Sequence, residues 1–206
     1  MEFQYQRRCR HPCDINEHLP VLYKYTTECE SVFETGVRGV TSSWAFAWGL
    51  VNNNSKTKKL VMNDIDVCDT HHIEMSCKEL GVSATSIWEN NLELNFEPDE
   101  TFDLTFIDTW HVYGQLKREL EKFSKITNKY IIMHDTTVDE WAGETVRWMG
   151  GLPAAIKQSE QTGFHVDEIM KGLWPAVDEF VSSHPEWVIH ERLTNNNGLT
   201  ILKRVE

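Results

Sequence analysis

Two short stretches concentrate the side chains able to do chemistry. Asp108-Thr109-Trp110-His111 places a carboxylate and an imidazole three residues apart, directly after the apolar run "FDLTFI"; His134-Asp135 directly follows "KYIIM". Carboxylate oxygens are the hard ligands Mg²⁺ prefers, so Asp108 and Asp135 are candidate metal ligands. Imidazole titrates near neutrality, which makes His111 the natural proton acceptor for a hydroxyl too weakly acidic to ionise unaided. If the two apolar runs are neighbouring parallel strands, Asp108, His111, His134 and Asp135 meet on one rim. Strand-end acids also cap helices, and in that competing role Asp108 and Asp135 would only satisfy backbone.

The elements that must position these groups alternate along the chain. Strand-like runs "SVFET", "KLVMND" (Lys59 to Asp64), "ATSIWEN", "FDLTFID" (Phe102 to Asp108) and "KYIIMHD" (Lys129 to Asp135) are separated by helical patterns: one from about Ser42, then "THHIEMSCKELG", ended by Gly81, and "VYGQLKRELEKFSKI". Continuous apolar strands with crossover helices imply a doubly wound α/β domain whose sheet is covered on both faces. "DINEHLPVLYKYTTEC" predicts an earlier helix with Asp14 as N-cap and Glu17 at the capping-box position. Near the C-terminus, "GLWPAVDEFVSSHP" predicts a helix, and "EWVIHERL" and "LTILKRV" flank an Asn-Gly turn that predicts a hairpin. Residues 136–171, with Gly143, Gly150, Gly151 and Gly163, read as a long irregular stretch and hence as a substrate lid. Residues 1–206 are expected to form one domain, and the basic segment 1–13 a solvated, mobile arm.

The turn after the first strand, "ETGVRGVTS", has Gly36 and Gly39 where a ligand would approach the backbone. It lacks the third glycine of a dinucleotide fingerprint and the Lys-Ser/Thr pair of a P-loop. Glu34 beside the turn would repel a pyrophosphate but suits the positively charged amino acid moiety of S-adenosylmethionine. Asp64, ending the second strand, stands where nucleoside-binding α/β folds place a ribose acid. Glu89, Asn90 and Asn91 end the third and offer polar groups to an adenine edge.

On these motifs the chain, from about Asp14 to its end, resembles the class I S-adenosylmethionine-dependent methyltransferases. E-T-G-x-R-x-V-T-S stands as motif I, Asp64 as the ribose acid, and "WVIHERLTNNNGLTILKR" as the closing antiparallel pair. Within the class, "FIDTWHVYGQLKRELEKF" and "YIIMHDT" look most like the cephalosporin-hydroxylase-like and macrolide or rhamnosyl sugar O-methyltransferases. The resemblance implies a Rossmann-like, seven-stranded sheet, mostly parallel, with a C-terminal antiparallel hairpin. It implies cofactor contacts from Glu34, Thr35, Gly36, Arg38, Gly39, Ser42, Asp64, Glu89, Asn90 and Asp108, catalysis by Asp108 and His111, and a metal held by Asp108, His134 and Asp135. His134 stands where those enzymes commonly carry Glu, and imidazole either favours Mn²⁺ or another transition metal over Mg²⁺ or leaves the shell and only orients a neighbour.

The implied reaction is methyl transfer to a carbohydrate hydroxyl, such as that of a deoxysugar like rhamnose in a glycan, with Trp110, Tyr113 and Trp141 available to stack on a sugar face. Alternatives are a phenol or catechol acceptor, a non-haem iron oxygenase built on two histidines and a carboxylate, and a nucleoside-binding protein without catalysis.

Composition narrows the partners. The chain has 32 acidic against 20 basic residues, a net charge of −12, so nucleic acid is not an expected partner. No apolar run reaches membrane-spanning length and the N-terminus lacks a signal-peptide core, which makes a cytoplasmic chain the expectation. Five scattered cysteines suit reduced thiols, and Cys9, His11 and Cys13 lack the second ligand pair of a zinc site. His71 and His72 are expected to be solvated at a helix start, and Trp44 and Trp48 to pack.

Overall fold

In a computed structural model, which describes residues 1–205, the apolar runs form β1 (Ser31–Thr35), β2 (Lys59–Asp64), β3 (Ser83–Trp88), β4 (Phe102–Ile107) and β5 (Thr127–His134). The hairpin strands β6 (Trp187–Leu193) and β7 (Leu199–Arg204) complete a seven-stranded sheet of order β3-β2-β1-β4-β5-β7-β6. β1 pairs in parallel with β2 and β4, and β2 with β3, whereas β6 and β7 are antiparallel. Burial follows position: every residue of β4 is buried, while the edge strand β3 alternates exposed and half-buried positions along its first half. This is the doubly wound sheet that the apolar runs predicted, in the Rossmann-like, seven-stranded form that the family resemblance implied.

The chain divides into two compact units, Met1–Ile107 with Ile126–Ile132, and Asp108–Lys125 with the chain from Met133 onward. In the first, the basic N-terminus is not a mobile arm but helix α1 (Glu2–Arg10). It buries no residue fully; the Arg8 guanidinium lies 5.0 Å from the Trp44 ring centre, and the Tyr5 and Tyr23 rings are 5.4 Å apart. Helix α2 spans Leu19–Thr26 with His18 at its N-cap and a proline in its first turn. The capping role expected of Asp14 therefore fails: its carboxylate instead takes the Arg38 guanidinium at 2.7 Å. Helix α3 (Ser42–Asn52) buries Trp44, and α4 (His71–Glu79) begins with His71 and His72 both exposed, as expected.

In the second unit, α5 (Tyr113–Phe123) packs on α9 (Trp174–Ser183). The stretch 136–171 is not irregular, since it contains α6 (Glu144–Arg147), α7 (Leu152–Thr162) and α8 (Val166–Met170). Val112, Ala155 and Ile169 form the small core beneath them. At the hairpin turn three consecutive residues, Asn196, Asn197 and Gly198, have φ of 45°, 71° and 99°. Among the described residues no helix is long and apolar enough to cross a membrane, and all five cysteines are free thiols.

Candidate active site

In the first unit, the turn leaving β1 is held by carboxylates. Gly36 has φ of 91°, a conformation costly for any residue with a Cβ. Gly39 does not share it, and a Cβ there would meet only Thr41 Oγ1 at an ordinary 3.7 Å. The left-handed positions fall on Arg38 (φ 38°) and Val40 (φ 55°), the latter β-branched and buried. Asp64 compensates: its Oδ2 accepts the backbone N–H groups of Val37 at 2.8 Å and Arg38 at 2.9 Å, and its Oδ1 accepts from Asp66 N–H. The acid that the sequence assigned to ribose is the clamp of the turn, and it stays half-exposed. Glu34 is fully buried beneath, where its carboxylate accepts a hydrogen bond from the Ser42 hydroxyl at the start of α3.

Two asparagines that sequence reasoning did not single out tie the strand tips together. Thr35 Oγ1 donates to Asn63 Oδ1 and accepts from Asn91 Nδ2, each at 2.9 Å. Asn63 Nδ2 in turn donates to the carbonyls of Ile87 and Glu89. Asn91, mentioned with its neighbours as an adenine contact, is buried in this network, and Asn90 closes its own turn by accepting from Leu92 N–H. The Glu89 side chain remains exposed.

In the second unit, the structure brings together all four groups that the sequence set on one rim. His111 Nε2 is 3.1 Å from Asp108 Oδ1, and His111 Nδ1 is 3.1 Å from Asp135 Oδ2. His134 Nδ1 lies 3.5 Å from both Asp108 Oδ1 and Asp135 Oδ1. Its Nε2 is 3.2 Å from the Asn196 carbonyl, an acceptor only, so Nε2 carries a proton and Nδ1 faces the carboxylates. Asp135 adopts φ of 58°, a strained conformation of the kind concentrated at functional sites.

Three further charged groups were missed. Asp139, fully buried, places Oδ2 3.3 Å from His111 Nδ1 and receives Arg147 through two hydrogen bonds, Nε to Oδ1 at 2.7 Å and Nη2 to Oδ2 at 2.9 Å. Glu144 exchanges hydrogen bonds with the His111 backbone, accepting its N–H at 3.1 Å and donating to its carbonyl at 3.0 Å. All three lie in the stretch that the sequence presented as structureless. The only signal available was the position of Asp139, four residues after Asp135.

The electrostatics follow from this crowding. Burial pushes the His111 imidazole down, but hydrogen bonds to Asp108 and Asp139 and the charge of Asp135 overcome it and hold the ring well above the usual imidazole range. His134 is likewise pushed down by burial and raised by Asp108 and Asp135 to about 10. Burial raises Asp108, and the charges and hydrogen bonds of His134 and His111 reverse this, leaving it far below the carboxylate range. Without a metal the surrounding carboxylates therefore favour the protonated form of both rings.

Asp108, His111 and Asp135 each offer a ligand atom within 4.8 Å of the other two. Asp135 Oδ1 and His111 Nδ1 are buried and held by ion-pair contacts without a well-aligned hydrogen bond. Such a mixed set of carboxylate oxygens and imidazole nitrogen fits a divalent cation and admits Mn²⁺ as well as Mg²⁺. The imidazole in this converging set is His111; His134, the ring inferred from the resemblance, stands beside it with Nδ1 directed at the same two carboxylates.

Of the three aromatics considered for stacking, Trp110 lies against Phe164, with centroids 5.9 Å apart and planes at 21°, and Tyr113 is buried with its hydroxyl donating to Glu179. Both are committed to packing, whereas Trp141 is 66 % exposed.

No family model and no curated protein matches the sequence. Solved structures do match in fold. The O-methyltransferase TomG from Streptomyces achromogenes, involved in tomaymycin synthesis and solved with S-adenosylmethionine, superposes with a TM-score of 0.59 at 12% identity, covering 93% of this chain and 81% of that one. An O-methyltransferase from Bacillus cereus in complex with S-adenosylhomocysteine gives 0.54 at 15% identity, with 95% and 84% covered. Magnesium protoporphyrin IX methyltransferase from Synechocystis PCC 6803, with bound S-adenosylhomocysteine, gives 0.55 at 13%, with 99% and 94% covered. What these likenesses establish is architecture: this chain has the Rossmann-like fold of the S-adenosylmethionine-dependent methyltransferases.

Proposed function

We propose that this chain is an S-adenosylmethionine-dependent O-methyltransferase that methylates a hydroxyl of a small-molecule or glycan acceptor, with a sugar hydroxyl as the leading candidate and a divalent cation held by the Asp108 and Asp135 carboxylates beside His111. The observation that carries the reading is the packing of one imidazole, His111, among the carboxylates of Asp108, Asp135 and Asp139. An alcohol attacks an electrophilic carbon only when its proton has somewhere to go, and this cluster is built around a proton-accepting ring.

Bound S-adenosylmethionine would supply a methyl group on a sulfonium, and Asp64, half-exposed at the turn, is the acid available to its ribose hydroxyls. A bound divalent cation would supply Lewis acidity toward the acceptor hydroxyl and cancel the carboxylate field that keeps His111 protonated. The chain's own groups then have distinct tasks. With Asp108 and Asp135 engaged by the cation, His111 would take the hydroxyl proton at Nε2, while Asp139 holds Nδ1 and stabilises the imidazolium that results. The sugar acceptor rests on the Asp108-x-x-His111 element of the resembled sugar O-methyltransferases.

A second acceptor class is favoured by one observation. Trp141, Trp148, Met149, Leu152 and Ile156 are all exposed in the segment expected to act as a lid, which suits an apolar, phenol-type acceptor better than a sugar.

Calorimetry of the full chain with S-adenosylmethionine and S-adenosylhomocysteine, with EDTA or with Mn²⁺ or Mg²⁺, tests the reading. Binding that survives EDTA, together with methyl transfer to a sugar or phenol panel that does not, is the expected result. Absence of binding under every condition would retire it.

A further inference from the structure

We propose that α6 is a positioning element for His111, acting through a clamp in which Arg147 fixes the Asp139 carboxylate against the imidazole; Arg147 and Asp139 are then positioning residues of the site. The inference rests on the reading of His111 as the proton acceptor of methyl transfer.

The clamp is defined by geometry. Asp139 has no exposed side-chain surface, and a buried carboxylate is costly unless paired and hydrogen-bonded. Its two oxygens are taken in a fork by Arg147 Nε and Nη2, an arrangement that fixes the carboxylate plane as well as its charge. With that plane fixed, Oδ2 stands 3.3 Å from His111 Nδ1. The same ring edge meets Asp135 Oδ2 at 3.1 Å, and the opposite nitrogen meets Asp108 at 3.1 Å, so the ring is held from both sides.

Asp139 is itself anchored through its backbone: its N–H donates to the Asp135 carbonyl at 3.1 Å, and its carbonyl accepts from Leu173 N–H at 2.8 Å. The carboxylate can therefore turn about its side-chain torsions but cannot move away. At the other end of α6, Glu144 grips the His111 backbone by the reciprocal pair of hydrogen bonds described above. One four-residue helix thus fixes both the main chain of His111 and, through Asp139, the orientation of its ring.

Removing the guanidinium leaves the Asp139 carboxylate buried and free to rotate. The ring then loses one of the groups that set its plane, while Asp108, Asp135 and the turn at Asp64 are untouched. The loss should fall on turnover and not on cofactor binding.

The experiment uses the full chain labelled with ¹⁵N-histidine, with the His111 ring signals assigned through His111→Gln. Arg147→Ala, Arg147→Lys and Asp139→Asn are compared with wild type by ring ¹⁵N shifts, by melting, by S-adenosylmethionine affinity, and by kcat and KM for the acceptor. Arg147 is itself partly exposed, so Arg147→Ala serves as the variant able to fold if Asp139→Asn does not. The expected result is a displaced or broadened His111 signal with the His134 signal unchanged, cofactor affinity within about twofold, and kcat lowered on the order of 10- to 100-fold. Arg147→Lys keeps the charge but not the fork and should fall between. An unmoved His111 signal in folded Arg147→Ala overturns the clamp whatever the activity. A moved signal in a protein that methylates nothing upholds the clamp and removes the proposed function instead.

Discussion

Gly198→Ala tests whether the hairpin turn holds the histidine cluster in place. Gly198 sits at φ of 99°, and a Cβ built there would lie 2.4 Å from Thr137 Oγ1, 2.5 Å from Thr137 N and 2.7 Å from Thr137 Cβ. The hydroxyl can rotate away, but the backbone nitrogen cannot: Thr137 and Val138 both donate to the Asn197 carbonyl at 2.9 Å. The added methyl must therefore lift the turn off residues 137–138. Overpacking of this kind costs about 1–3 kcal/mol. Forcing alanine to a positive φ costs about 1 kcal/mol more, and partial loss of the two hydrogen bonds about 1 kcal/mol. Together these come to roughly 3–5 kcal/mol, or roughly 6–20 °C in melting temperature for a chain of this length.

The displacement also carries the Asn196 carbonyl away from His134 Nε2, so Mn²⁺ affinity should weaken together with stability. Gly39→Ala is the internal control, because its added methyl meets only Thr41 Oγ1 at 3.7 Å. Thermal melts in EDTA and Mn²⁺ calorimetry on both variants provide the measurement. If Gly198→Ala melts within about 2 °C of wild type and binds Mn²⁺ equally well, the hairpin does not support the site and the reasoning fails.

Two further outcomes follow from the same geometry. Asp64→Ala removes the acceptor of the Val37 and Arg38 N–H groups; charge-assisted hydrogen bonds of this type contribute about 1.5–3 kcal/mol, so S-adenosylhomocysteine affinity should drop roughly 10- to 100-fold by calorimetry, and unchanged affinity would refute the role given to this acid. For the metal-free protein, His134 is raised from 6.5 to about 10, so its contribution to stability is complete below pH 6.5 and lost as pH rises through about 10. Asp139 is shifted the other way: burial raises it, but bonds to His111 and Arg147 lower it overall, so its contribution is complete above its ordinary 3.8 and lost as pH falls through the depressed value. Urea midpoints in EDTA should therefore decline at both ends of the pH range, and His134→Gln should flatten the alkaline decline.

The strands were legible because a strand buried on both faces is dominated by apolar residues, and "FDLTFI" and "KYIIM" are so despite Asp103, Thr105 and Lys129. The hairpin was legible from Asn-Gly. Helix α1 was not, because it buries nothing fully and is held by contacts of Tyr5 and Arg8 with residues far along the chain. The helices within 136–171 were hidden for a different reason. Their glycines look like loop residues, yet Gly143 and Gly151 are N-caps and Gly163 is the left-handed C-cap of α7, with Pro153 in that helix's first turn. Proline at the start and glycine past the end are boundary signals, and counting glycines alone conceals them. The four groups of the cluster were legible because strand order alone places the ends of β4 and β5 side by side. Asp139, Glu144 and Arg147 were not, since no periodicity predicts which way a side chain in so short a helix, or in the turn before it, is directed once the chain has left the sheet.

The turn after β1 explains why a glycine pattern that falls short of a phosphate-binding fingerprint is a different solution and not a degraded one. Successive backbone N–H groups in a left-handed turn form a concavity that attracts anions. In dinucleotide-binding folds a pyrophosphate fills it. Here Asp64 fills it, since Val37 and Arg38 already donate to its Oδ2, and the buried Glu34 lies beneath with Ser42 as its donor. A pyrophosphate would have to displace one carboxylate and settle above another. A ligand bearing a sulfonium and an ammonium meets no such opposition, and its ribose hydroxyls, being donors, can share Asp64 with the turn. The same carboxylate bonds the N–H of Arg38, whose φ is 38°, a conformation that side chain rarely adopts. The strain at Arg38 thus arises where Asp64 takes the turn's N–H groups, and a second glycine is not needed at position 39 to produce it.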